Sequence, residues 1–219
     1  MRDWQGFERR PEPFPHWVHE SFLSPKEVRA INAEWPDVSD PRWHHERRGY
    51  ALKSALMFPR RLPDTAELIA ADLYSPTSVE QLSALTGLPL LPDPWFLDGP
   101  LMPRVGGGLH EIHRDGLLKM HLDFSAHPTG LVRALNFLVY LNEGWRDEWG
   151  GALLLGGGEA QIFPRGGTAV IFQTTDTSWH GHPEPLKCPP DRTRRSLALY
   201  YYRQGKPSER VTTQYANTD

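Results

Sequence analysis

Apolar and polar positions change their period near residue 96. Upstream, apolar residues recur at the spacing of one helix face. In "SPKEVRAINAEW", Val28, Ile31 and Trp35 follow Ser24, an N-cap hydroxyl, with Pro25 at the first helical position and Glu27 closing a capping box. "PDTAELIAADLY" repeats the device with Asp64 and Glu67, ahead of Leu68, Ile69 and Leu73. "SPTSVEQLSALTG" predicts a third helix with Val79, Leu82 and Leu85 as its stripe and Gly87 as C-cap. Downstream the runs are shorter and apolar on both sides: "RALNFLVYL" (133–141), "GALLL" (151–155), "TAVIFQT" (168–174) and "SLALYYY" (196–202). Short buried strands separated by Gly-rich and Pro-rich turns predict a mainly β core, a barrel or jelly roll, with the helices packed outside it.

Composition narrows the classes. A chain of 219 residues with 39% hydrophobic and 11% aromatic residues supports one well-filled domain. A net charge of -3 gives no basic surface for a nucleic acid. No apolar stretch approaches the roughly 18 residues of a membrane span. "MRDWQGFERRPEPFPHW" lacks the apolar core of a signal peptide, and the one cysteine, Cys188, can form no internal disulfide. The expectation is a cytoplasmic protein without a membrane partner.

Candidate chemistry starts at "LKMHLDF". On a strand, His121 and Asp123 stand on one face and offer an imidazole nitrogen and a carboxylate oxygen to one point. "TSWHGHP" supplies His180, with His182 as the competing residue. Two histidines and one carboxylate on one face of an octahedral metal are the ligand set of non-haem Fe(II) oxygenases, which leaves positions open for co-substrate and O2. "TRRSLALYYY" then places Arg194 and Ser196 on one strand face, a guanidinium and a hydroxyl suited to a carboxylate, while Arg195 points the other way. In "GGGLHEIHRD", His110 and His113 would form an alternative metal pair on a helix; the flanking "GGG" and "GLLKM" read instead as a loop entering a strand.

The run "MHLDFSAHPTGLVRALNFLVYLNEGWRDEWGGALLL", with "TDTSWHGHPEP" and "RTRRSLALYYY", resembles the Fe(II)- and 2-oxoglutarate-dependent oxygenases of the prolyl-hydroxylase-like family over roughly residues 105 to 203. The resemblance implies a double-stranded β-helix, a jelly-roll variant. It implies Fe(II) held by His121, Asp123 and His180, and 2-oxoglutarate held by Arg194 within R-x-S, with Tyr140 of "YLN" on the same carboxylate and Asn136 lining the same pocket. His113 falls where relatives often carry a tyrosine. The expected organisation is one oxygenase domain over 1–219: helical support in 1–95, the β-helix in 96–205 and a tail in 206–219. The expected reaction is hydroxylation, or another C–H oxidation, of a small polar molecule, with succinate and CO2 as co-products. His110, His113, Arg114 and Lys119 would supply polar groups for that substrate. The alternatives are a peptidyl hydroxylase, a non-redox cupin-like metal enzyme, and a β-sandwich binding module with a structural metal.

Overall fold

Along Val132–Tyr140, side chains alternate between two apolar clusters, and this alternation sorts the molecule into layers. Leu135, Phe137 and Val139 join a large cluster with Val28, Ile31, Ile69, Leu73 and Leu82 of the helices. Tyr140 joins a second cluster with Leu153, Leu155, Val170 and Phe172 inside the fold. A strand covered on both faces has no polar side, which is why "RALNFLVYL" reads as a continuous apolar run. Each such side chain contributes roughly 1.5–3 kcal/mol when fully buried.

The computed structural model describes residues 2–96, 107–207, 210 and 212–216. The opening of the expected core at 97–106, and residues 208, 209, 211 and 217–219 of the expected tail, lie outside the described residues. In chain order the elements are β1 (Glu8–Arg10), β2 (His16–His19), α1 (Pro25–Ala33), β3 (His44–Arg48), β4 (Ala51–Met57), α2 (Asp64–Leu73) and α3 (Pro76–Thr86). Then follow β5 (Gly108–Ile112), β6 (Leu118–Leu122), β7 (Val132–Tyr140), β8 (Leu153–Leu155), β9 (Ala160–Ile162), β10 (Ala169–Gln173), β11 (His180–His182), β12 (Arg194–Arg203) and β13 (Gln214–Tyr215). They form one curled antiparallel sheet in the order β1-β2-β10-β7-β12-β5-β4-β6-β11-β8-β9, with β3 on β4 and β13 on β6. This is a double-stranded β-helix. Its larger sheet carries the helices, and a pairing of Ala51 with Leu118 links it to the smaller one.

The helix caps follow the sequence with one exception. Ser24 and Glu27 form the predicted capping box, with the Glu27 N–H donating to Ser24 Oγ at 3.3 Å and the Ser24 N–H to Glu27 Oε2 at 2.9 Å. Ser75 caps α3, and Gly87 ends it at φ 73°, a left-handed conformation that only glycine adopts without cost. Asp64 is not a cap: α2 has Pro63 at that position with no side-chain hydrogen bond, and Asp64 is its first residue. Glu67 instead accepts from the Leu62 N–H at 3.1 Å, before the helix. Leu68 is 72% exposed, so the buried stripe of α2 is Ala66, Ile69, Ala70 and Leu73. The region before residue 96 also contributes β2 and β4 to the sheet, in addition to its helices.

Candidate metal centre and its cavity

β11 lies antiparallel to β6 with His180 directly opposite His121, and the two imidazole centroids are 4.2 Å apart. Asp123 follows the end of β6. Its Oδ1 lies 3.7 Å from His121 Nε2 and its Oδ2 lies 3.4 Å from His180 Nε2. One donor atom from each of these buried residues falls within 4.8 Å of the others. The tertiary fold therefore closes the 59-residue gap between the two histidines.

Backbone carbonyls set the histidine tautomers. His121 Nδ1 lies 2.9 Å from the Lys119 carbonyl, and His180 Nδ1 lies 2.9 Å from the Ser178 carbonyl. A carbonyl only accepts, so each Nδ1 carries the proton and each Nε2 presents a lone pair to the cluster centre. Burial, with the neighbouring His180, lowers the His121 pKa to about 3, so that ring is neutral. Burial pushes the Asp123 carboxyl up, but Arg133, then His180, outweigh it and hold it well below the usual carboxylate range. Two imidazoles and one carboxylate, with no fourth protein ligand in the cluster among the described residues, fit a divalent metal that keeps coordination positions open.

Arg133 and Asn136 set the carboxylate's orientation. Asn136 Nδ2 donates to Asp123 Oδ2 at 2.7 Å, and Arg133 Nη2 reaches the same oxygen at 3.2 Å. Arg133 also donates to Asn136 Oδ1 through Nε at 3.1 Å and through Nη2. Its guanidinium carbon sits 3.5 Å from the Tyr200 ring centroid and 4.6 Å from that of Phe124. Two donors on Oδ2 leave Oδ1 for a metal. No sequence motif marks Arg133, although a lone arginine in a run buried on both sides needs a partner. Positions 133 and 136 fall on opposite faces of a regular strand, which hid the pairing. A register shift opposite them, between Tyr201 and Tyr202, marks a bulge that brings both side chains to Asp123.

The same cavity is also lined by Arg194, Ser196, Lys53, His110, His182, Ile112, Leu138 and Leu153. Arg194 is buried. Its Nε donates to the Gly151 carbonyl at 2.7 Å and its Nη2 to Tyr140 Oη at 3.3 Å. Burial lowers its pKa; only Tyr140 opposes this, so its charge meets no carboxylate among the described residues. Arg195 turns to the outer face, 3.5 Å from Glu111 and stacked at 4.7 Å on Trp35. Ser196 pairs across the sheet with Tyr140 on one side and His110 on the other. Asn136 lines this cavity too, with its amide turned to Asp123.

His110 and His113 do not share a helix face, because β5 holds His110 and ends at Ile112. Of the four residues expected around a substrate, His110 lines the cavity, whereas His113, Arg114 and Lys119 are not among its walls. Arg114 donates to the Cys188 carbonyl at 2.9 Å. Arg210 bridges the two loops flanking the metal ligands, donating to the Asp123 carbonyl and, at 3.2 Å, to the Thr175 carbonyl.

Residues 107–202 match a family model described as the 2OG-Fe(II) oxygenase superfamily. Among solved structures, a prolyl-4-hydroxylase from Pseudomonas putida superposes with a TM-score of 0.62 at 19% identity, over 87% of this chain and 93% of that one. A viral collagen prolyl hydroxylase from Paramecium Bursaria Chlorella virus-1 gives 0.57 at 14% identity, over 86% and 96%. HygX from Streptomyces hygroscopicus, solved with nickel, 2-oxoglutarate and hygromycin B, gives 0.53 at 15% identity, over 85% and 82%. No curated protein sequence matches the chain.

Proposed function

From the premise that the β-helix of residues 107–202 is that of a 2OG-Fe(II) oxygenase, we propose that the protein hydroxylates, or otherwise oxidises a C–H bond of, a small polar molecule. The enzyme uses Fe(II), 2-oxoglutarate and O2. His121, Asp123 and His180 hold the iron, and Arg194, Tyr140 and Ser196 take the distal carboxylate of 2-oxoglutarate. When bound, the iron and its co-substrates supply the oxidation: the co-acid leaves as succinate and CO2, and the substrate C–H bond is oxidised. The chain's own part is to hold, orient and desolvate. Asn136 and Arg133 fix one Asp123 oxygen, Arg194 sets the depth at which the co-acid sits, and the apolar walls exclude water.

The observation that carries the reading is the buried guanidinium of Arg194, without a carboxylate partner among the described residues, in the same cavity as the triad. A charge buried without a counter-charge is costly, and a carboxylate ligand removes that cost. The cupin-like isomerase and the structural-metal module call for no such group. A small substrate suits a cavity whose walls also bring His110, Arg133 and Tyr200 together. Arg210 and the neighbouring strand β13 further cover the strand that carries His121. HygX, similar in fold, was solved with hygromycin B bound. The whole chain is read as one oxygenase domain met in the cytoplasm, with residues 1–95 as its support.

The second reading, a peptidyl hydroxylase, is favoured by the likeness in fold to prolyl hydroxylases. Incubation with hydrophilic metabolites and with a peptide library, followed by mass spectrometry, separates the two. A gain of one oxygen among metabolites supports the first, and a gain confined to peptides replaces it with the second.

A further inference from the structure

His182 is buried, lines the cavity, and finds no hydrogen-bond partner for either ring nitrogen among the described residues. Among the described residues His16, His113 and His127 also have one such nitrogen each, and none of them is a wall of this cavity. The position of His182 follows from register. It lies opposite Leu118 of β6, and Leu118 in turn lies opposite Ala51 of β4, two residues from Lys53. Arg194 enters the same cavity from β12, opposite Ile112. An imidazole ring always carries at least one N–H to give. Left unused in a buried site, it costs free energy.

The ligand that satisfies these groups must accept from a ring N–H and from Arg194, tolerate two cations and place apolar carbon against Ile112, Leu138 and Leu153. We propose that His182 is a specificity-determining residue for the co-substrate. Its ring N–H donates to the distal carboxylate that Arg194 holds, and with Lys53 it fits the cavity to a dicarboxylate 2-oxo acid. Oxo acids lacking the second carboxylate gain nothing from it. The inference rests on the reading of the protein as a 2-oxoglutarate enzyme, and it assigns His182 to the co-acid instead of the metal.

The test uses the whole chain, loaded with Mn(II) in place of iron and titrated calorimetrically with 2-oxoglutarate. Wild type is compared with His182→Leu, which keeps apolar volume, and His182→Gln, which keeps an N–H donor. Mn(II) affinity without the co-acid should agree within about twofold among the three, as expected for a residue outside the ligand set. The Leu variant should bind 2-oxoglutarate roughly 10-fold or more weakly, the loss of one hydrogen bond to a charged group. The Gln variant should recover much of that loss. In turnover the Leu variant raises KM for 2-oxoglutarate with kcat at saturation retained, while binding of pyruvate stays as weak as in wild type. Unchanged 2-oxoglutarate affinity in the Leu variant, or loss of Mn(II) from both variants, overturns the inference. Wild type that binds Mn(II) but no 2-oxoglutarate overturns the functional reading, and this inference with it.

Discussion

His121 and His180 each donate Nδ1–H to a carbonyl two residues earlier in the chain, so the lone pairs that meet Asp123 are fixed by local backbone. Substituting any of the three with Ala is expected to abolish Fe(II) binding, measured by anaerobic titration, because an open site has only three protein ligands to lose. His182→Ala should keep Fe(II) binding. Death of His182→Ala with an active His180→Ala would exchange their roles. For the co-acid, Arg194→Ala is expected to raise KM for 2-oxoglutarate by about 30-fold or more, since a desolvated carboxylate left without its charged partner costs about 2–5 kcal/mol. Arg195→Ala should leave KM nearly unchanged, its guanidinium being matched by Glu111 and Trp35 on the outer face. Equal effects would mean that the strand face is misassigned. The residues brought together here were legible as i, i+2 pairs, because a regular strand puts such pairs on one face. Arg133 was not legible as a partner of Asp123: a bulge breaks that period, and nothing in "RALNFLVYL" marks it.

Among the elements, the helices read well because their ends carry local chemistry. Ser24→Ala should remove about 1 kcal/mol of stability through the capping box, lowering the thermal midpoint by a few degrees without changing kcat/KM. Phe137→Ala, in the cluster between sheet and helices, should cost about 3–5 kcal/mol in denaturant unfolding. A smaller loss there would mean that the helices are loosely docked. α2 shows where local reading fails. Pro63 at the N-cap leaves the first turn without a side-chain cap, and Asp64, a good cap residue, falls one position late. β2, β3 and β4 were not legible either. "HWVH", "HHERR" and "ALKSALM" carry polar residues that become buried only when distant strands pair with them. Ser54, for example, is fully buried and meets His45 across β3–β4 at 2.8 Å.

At the scale of the molecule, the sheet gathers residues from β4, β5, β6, β7, β11 and β12 around one cavity, and the buried charge there makes stability depend on pH. Burial lowers His110 and His121 to about 3 in the folded chain, from an ordinary value of 6.5. The unfolded chain therefore binds more protons below 6.5, and this contribution to stability is complete above that pH and falls as pH drops towards 3. Asp123 adds a loss at the acid end, since its folded pKa lies well below the ordinary carboxylate value of 3.8. Metal-free protein should unfold at lower denaturant concentration at pH 5 than at pH 7.5, and saturating Mn(II) at pH 7.5 should raise the midpoint further. A flat profile would mean that these rings titrate freely. Among the described residues no helix is long and apolar enough to cross a membrane. The most direct test of the account is succinate formation from 2-oxoglutarate by purified wild-type protein, with Asp123→Ala and Arg194→Ala as controls. The account predicts succinate that requires both Fe(II) and O2, none from Asp123→Ala, and recovery in Arg194→Ala only at far higher 2-oxoglutarate. Succinate formed at equal rates by wild type and Asp123→Ala, or no succinate from wild type with any metabolite or peptide added, would contradict it.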